Sequence, residues 1–267
     1  MAKEILAAMI EFDDVGEFGG VDPKGYDAFD QALARSHAMM QDYSNDKYIK
    51  MMVAPEYYFS GHSFNKGTTT VTSLSRDDKH SLYTKLQASS RKYPNILIVP
   101  GSIAYSKARG LSKRKYYNVC PILFGGNILL KKYKVGNDKY QSKGDFKTKD
   151  KGNTFTHKSL KFGIDICLDH GHKVLKSSLK GETVDVHVLI ADGAAPSPRS
   201  LATTTNGVVV YCNMKSQNKD KGVNGILSVK KNDYGNLNTH NRQLVSETSQ
   251  SLTGGYRIAL YKGQVKS

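Results

Sequence analysis

Short apolar runs alternate with amphipathic segments along this chain, and that alternation restricts its fold more than any other feature. Runs that read as strands lie at Ile5–Phe12, Ile49–Ala54, Ile96–Pro100, Val119–Phe124, Ile128–Lys134, Leu160–Ile166, Val184–Ala191, Val208–Asn213, Gly225–Lys230 and Tyr256–Tyr261. Between them, Tyr26–Tyr43 places Phe29, Leu33 and Met40 on one helical face, and Arg76–Tyr93 does the same with Leu82, Leu86 and Tyr93. Ser75 stands where the second helix needs an N-cap, with Asp78 three residues on. Shorter helices are expected at Lys173–Leu179 and Pro198–Thr205. Strands separated by helices bury their sheet on both faces, so the pattern predicts a layered α/β domain. No repeat, low-complexity tract or linker divides the chain, and residues 1–267 are expected to form a single domain.

Composition narrows the setting. No apolar run approaches the roughly 20 residues of a membrane-spanning helix, so no membrane partner is expected. The apolar stretch near the N-terminus is short and lacks a cleavage signature, which predicts no secretory leader and a cytoplasmic location. Three cysteines do not make a disulfide framework. Cys120 and Cys212 each sit inside an apolar run and read as small buried hydrophobes. Lys and Arg number 39 against 24 Asp and Glu, a formal charge of +15, which favours acidic partners. The basic residues are spread from Lys107 to Lys180 and read first as a solvated face. Residues Lys131–Lys151, polar and rich in lysine and glycine, read as one long surface loop.

Three strand ends deliver a reactive side chain. Met51-Met-Val-Ala-Pro-Glu56 leaves a carboxylate just past a strand that Pro55 terminates. Gly126-Asn-Ile-Leu-Leu-Lys-Lys-Tyr-Lys134 puts Ile128, Leu130, Lys132 and Lys134 on one face, where a lysine needs a carboxylate partner. Leu160-Lys-Phe-Gly-Ile-Asp-Ile-Cys167 carries a thiol to a turn. Glutamate, lysine and cysteine form a coherent chemical set. An ammonium favours the thiolate, a carboxylate accepts and returns protons, and the ammonium with the N–H of Leu168 can hold an oxyanion.

These motifs resemble those of the nitrilase (carbon–nitrogen hydrolase) superfamily. Pro55-Glu56, the lysine eight residues after Gly126 and Ile166-Cys167-Leu168-Asp169 match its three catalytic segments in order. Val99-Pro-Gly-Ser102, Tyr117-Asn118, Val184–Ala191 and Asn206–Asn213 match segments between and after them. The resemblance implies a four-layer α-β-β-α sandwich, often dimerised through its helices, so a homodimer is expected. It also implies hydrolysis of non-peptide carbon–nitrogen bonds without metal or cofactor. Cys167 is then the nucleophile, Glu56 the acid and base, and Lys134 the oxyanion stabiliser. An amidase is expected ahead of a nitrile hydrolase; a basic, catalytically idle domain binding nucleic acid or an acidic protein is the alternative. The substrate bears an amide and is a small molecule or an acidic macromolecule. Tyr58, His170, Asp192 and Gly193 are candidate substrate contacts, with Tyr58 favoured over Tyr57.

The chain departs from the family pattern in places. Leu168 replaces a bulkier residue, and Gly171 stands in the place of an arginine, between His170 and His172. No glutamate lies between Lys134 and Ile166; Asp145 is the first choice for that supporting role, ahead of Asp138 and Asp150. Tyr133 directly precedes the lysine where the family's tyrosine is two before, which leaves Lys132 as the alternative catalytic lysine.

Overall fold

The structure is a computed structural model that describes residues 3–12, 25–60, 62–65, 68–109, 113–136, 152–214, 224–229, 243–247 and 255–266. Two sheets carry the fold. In the first, β1 (Lys3–Phe12), β2 (Tyr48–Val53) and β5 (Ile96–Val99) run parallel. The long strand β7 (Lys113–Phe124) extends the sheet beyond β5 and pairs with both β6 (Ile103–Arg109) and β8 (Asn127–Tyr133). On the other side, β15 (Tyr256–Val265) pairs antiparallel with β1, and β14 (Gln243–Glu247) lies outside it. The chain therefore closes its first sheet with its last strand.

In the second sheet β10 (Leu160–Ile166), β11 (Val184–Ala191) and β12 (Thr203–Asn213) run parallel, edged by β9 (Thr154–His157) and β13 (Gly225–Ser228). A separate hairpin joins β3 (His62–Asn65) to β4 (Thr68–Val71).

Side-chain alternation makes the layers. Ile5, Ala7, Met9, Ile49, Met51 and Val53 face the second sheet and meet Phe162, Ile164, Val186, Val188, Val208 and Val210. Leu6, Ala8, Ile10 and Met52 face the other way. There they meet Phe29, Leu33 and Met40 of α1 (Tyr26–Met40) and Leu82 and Leu86 of α2 (Arg76–Lys92), the faces expected from their spacing. The Ser75 hydroxyl caps α2 by accepting from the Asp78 N–H at 3.0 Å.

The outer layer of the second sheet is thin. It consists of α3 (Leu168–Gly171) and α4 (Val174–Ser178), whose Leu175 packs with Val184 and Ala202. The result is the expected four-layer α-β-β-α sandwich. Among the described residues no helix is long and apolar enough to cross a membrane.

Two expectations are corrected. Pro198–Thr205 is not a helix: only Pro198–Ser200 makes a single 3-10 turn, and Thr203, Thr204 and Thr205 already belong to β12. The run of β-branched residues prevails there. Nor does the surface loop begin at Lys131, since Lys131–Tyr133 complete β8 and both Lys132 and Lys134 are fully buried. Residues 137–151 lie outside the described residues.

Candidate active site

Glu56 owes its position to a backbone device. Ala54 donates its N–H to Val99 O at 2.9 Å, Pro55 has no N–H to continue the ladder, and the chain turns. Tyr57 takes a left-handed φ of 60° and donates its N–H to Ser102 Oγ at 3.1 Å. Gly101 permits this approach: a Cβ there would lie 2.3 Å from Pro55 O, and its φ of +80° suits only glycine. The Val99-Pro-Gly-Ser102 segment is thus the seat of the glutamate.

The fully buried Glu56 carboxylate meets the equally buried Lys134 ammonium at 2.9 Å. The same Oε1 accepts from Asn118 Nδ2 at 2.9 Å, and Asn118 O accepts the Lys134 N–H at 2.9 Å. One asparagine therefore holds both partners. The Tyr57 ring lies 5.6 Å from Lys134 Nζ. Such a pair is stable in a dry interior only when hydrogen bonds surround it, which Asn118 helps to provide. Asn118→Leu, which keeps the backbone bond, is expected to cost about 1–3 kcal/mol in urea denaturation.

Cys167 ends β10 in a strained elbow, with φ 49° and ψ −110°. Its N–H donates to Ile190 O at 2.8 Å and its carbonyl accepts the His170 N–H at 2.9 Å. A non-glycine residue held there stores about 1–3 kcal/mol, as nucleophiles presented on strand-to-helix turns do. The other two thiols behave as expected of structural cysteines. Cys120 and Cys212 are fully buried and burial pushes both well above the ordinary thiol range. Cys212 Sγ lies 3.5 Å from Val53 O.

The three strand ends converge. Glu56 and Lys134 touch, and Val135 and Gly136, immediately beyond, donate their N–H groups to Asp169, two residues past Cys167. Leu168 opens α3. Lys132 has its own carboxylate, Asp169 Oδ2 at 2.9 Å, so the two lysines do not compete for Glu56. Asp192 and Gly193 sit at the carboxyl end of β11, where Gly193 donates its N–H to Asn213 Oδ1 at 2.7 Å. Asp145 lies outside the described residues.

Two expected substrate contacts fall elsewhere. Tyr58 is fully buried among Phe12, Phe29 and Phe59 in the core under the helices; the left-handed turn at Tyr57 hands the Lys134 side to Tyr57 instead. His170 is buried as well, its Nε2 accepting the Ser197 N–H at 2.8 Å and its Nδ1 3.5 Å from Asp165 Oδ2.

Asp165, His170 and His187 form a buried cluster at a spacing a metal ion could bridge. Hydrogen bonding argues otherwise. His170 Nε2 accepts from Ser197 and His187 Nδ1 accepts from the Ala202 N–H at 3.3 Å. The nitrogens facing Asp165 must then carry the protons, His187 Nε2 donating to Oδ2 at 3.1 Å, which leaves neither histidine a lone pair to offer a cation. Burial works to raise the Asp165 carboxyl, but hydrogen bonds from His170 and His187 outweigh it and hold it far below the usual range. Burial drives His187 below the ordinary histidine value, against the opposing pull of Asp165.

The second sheet is consequently acid-sensitive. Burial, with Lys158 adding to it, lowers His157 to about 4. The unfolded chain takes up a proton at this position near pH 6.5, while the folded chain does not until about pH 4. This contribution is complete above pH 6.5 and diminishes as pH falls towards 4. His187 acts in the same direction. Melting temperature is expected to drop across that window, and His157→Gln to flatten the slope; a slope unchanged by the substitution would contradict the assignment.

The two-sheet α-β-β-α sandwich is the fold of nitrilase-superfamily proteins, and the chain has that fold. It is similar to Nit3 of Saccharomyces cerevisiae, a member of branch 10 of the superfamily, with TM-score 0.58 and 15% identity over 98% of this chain and 90% of that one. A carbon–nitrogen hydrolase from Helicobacter pylori G27 superposes with TM-score 0.53 and 13% identity over 84% and 81%. The amidase from Nesterenkonia sp. AN1, in a mutant form complexed with butyramide, gives TM-score 0.52 and 11% identity over 80% and 77%. No family model and no curated protein matches the chain.

Proposed function

We propose that the chain hydrolyses a non-peptide carbon–nitrogen bond, as an amidase, through an acyl-thioester on Cys167. The observation that carries this reading is the buried Glu56–Lys134 pair, tied through Val135, Gly136 and Asp169 to the strained Cys167 elbow. Glu56 accepts the thiol proton as sulfur bonds to the amide carbon. Lys134 and the Leu168 N–H stabilise the resulting oxyanion. Glu56 returns the proton to nitrogen as the C–N bond breaks, releasing ammonia or an amine. It then takes a proton from water, whose hydroxyl displaces sulfur to give the acid and restore the thiol. No step calls for a metal or cofactor. The substrate contacts we assign to this reaction are Tyr57, Asp192 and Gly193.

The amide choice follows the similarity to the butyramide-bound amidase. Incubation with a panel of simple carboxamides, butyramide among them, tests it. Ammonia release is expected, with an acyl mass increment on Cys167 that Cys167→Ala abolishes. Turnover only on the matching nitriles would replace the amidase reading with nitrile hydrolysis. Full turnover by Cys167→Ala would sink the mechanism.

A further inference from the structure

A second buried ion pair, unused by the chemistry above, links the lysine strand to the cysteine turn. Lys132 and Asp169 are both fully buried, with Nζ 2.9 Å from Oδ2. The contact is an ion pair; the hydrogen bond of the Lys132 ammonium goes to Asn153 Oδ1 at 2.8 Å. The other oxygen of Asp169 accepts from Val135 at 2.8 Å and Gly136 at 2.7 Å. Lys134 therefore lies between one residue bound to Asp169 by its side chain and two bound through their backbone. The fit is close on the loop side too. A Cβ on Gly136 would stand 3.0 Å from His172 Cδ2 and 3.4 Å from both Asp169 Oδ1 and the Leu168 carbonyl carbon.

Buried ion pairs add little net stability, since apolar side chains of equal size serve as well; their best-attested use is to fix one arrangement against its neighbours. Here the alternatives are registers of the β8 end against the elbow. The β7–β8 ladder already slips at Ile122/Leu123, so strand pairing alone does not dictate where Lys134 falls.

We propose that Lys132 and Asp169 are positioning residues: the pair locks the backbone of Lys134 to the Cys167 elbow, setting ammonium against thiol. The proposal rests on the roles given above to Lys134 and Cys167.

Alkylation of Cys167 by iodoacetamide in the full chain, followed by peptide mass as a function of pH, tests it without knowledge of the substrate. Among the described residues, the titratable groups on the segments that meet at the Cys167 turn are Glu56, Lys132, Lys134, Asp165, Asp169, His170 and His172. Asp169→Asn removes a negative charge, and through the field alone would move the thiolate midpoint down. If Asp169 acts by holding Lys134, the thiolate loses its cation and the midpoint rises instead, by about one pH unit, with about tenfold slower alkylation at pH 7. Lys132→Gln is expected to raise it similarly, and the double variant to shift no further than the larger single change. A downward or absent shift in Asp169→Asn, or additive shifts in the double variant, overturns the proposal.

Gly136→Ala disturbs the same contact without altering a charge, which keeps the test open should Asp169→Asn fail to fold. It is expected to slow alkylation about three- to tenfold, and an unchanged rate in folded Gly136→Ala overturns the proposal as well. A parent Cys167 that alkylates no faster than cysteine in a reference peptide would overturn the underlying Cys167–Lys134 reading and this one with it. An activated parent thiol indifferent to the variants overturns the positioning role alone.

Discussion

Lys134→Met will lower stability by about 3–5 kcal/mol and abolish the rapid reaction of Cys167, and adding Glu56→Gln will restore most of the stability but none of the reactivity. The reason is the burial of both partners with a single carboxylate oxygen shared between Lys134 and Asn118. Without the ammonium, Glu56 must hold an uncompensated charge in a dry interior or take up a proton. Gln at position 56 keeps an oxygen to accept from Asn118 Nδ2 and carries no charge, so the double variant loses the pair as a unit. Reactivity does not return, because the proposed mechanism needs a proton acceptor at 56 and a cation at 134. Urea denaturation and iodoacetamide kinetics on the four proteins of this cycle check both halves. A double variant as unstable as Lys134→Met would mean that the charge pair is not what the fold depends on here.

How much of this was legible in the sequence depends on how local the cause is. Glu56 and Cys167 stand at breaks that the chain itself announces, a proline ending one apolar run and a polar turn ending another. The helical faces of α1 and α2 were legible for the same reason, as were the structural roles of Cys120 and Cys212. Tyr58, favoured over Tyr57 as a substrate contact, packs instead among Phe12, Phe29 and Phe59; the left-handed φ of 60° at Tyr57 that turns the two rings apart has no local sequence signal. His187 sits on the face of β11 opposite Val186 and Val188, where period-2 reasoning expects solvent; the short α3–α4 layer and Ala202 cover it. Strands β6 and the first half of β7 were missed since their lysines and arginines mask the alternation. In the sequence Asn118 shows only as part of the Tyr117-Asn118 motif. Its bond to Glu56 depends on strands brought together by the sheet, as does the pairing of Lys132 with Asp169. Distant partners of buried charges leave no local signal beyond the demand that a partner exist.

The largest effect expected of an isosteric change is at Asp165. Asp165 Oδ1 accepts the Leu175 N–H at 3.1 Å, and Oδ2 faces His187 Nε2 at 3.1 Å and His170 Nδ1 at 3.5 Å. Asn has one oxygen where Asp has two. Turned either way in Asp165→Asn, it presents its NH2 to an N–H donor, and the histidines cannot relieve this by exchanging tautomers because Ser197 and Ala202 already donate to their far nitrogens. The substitution should therefore cost about 2–4 kcal/mol despite its equal size. Asp185→Asn is the control: its Oδ2 accepts one N–H, from Lys161 at 2.7 Å, and a flipped amide can keep that bond, so the cost should stay within about 0.5 kcal/mol. The Asp165 network also joins the residues on either side of Cys167 to the segment beyond Asp192 and Gly193, so Asp165→Asn should relax the strained elbow and slow alkylation of Cys167. If Asp165→Asn proves as stable as the parent, the Asp165 carboxylate is not the acceptor on which both histidines depend, and the exclusion of a cation from the cluster by their protons falls with it.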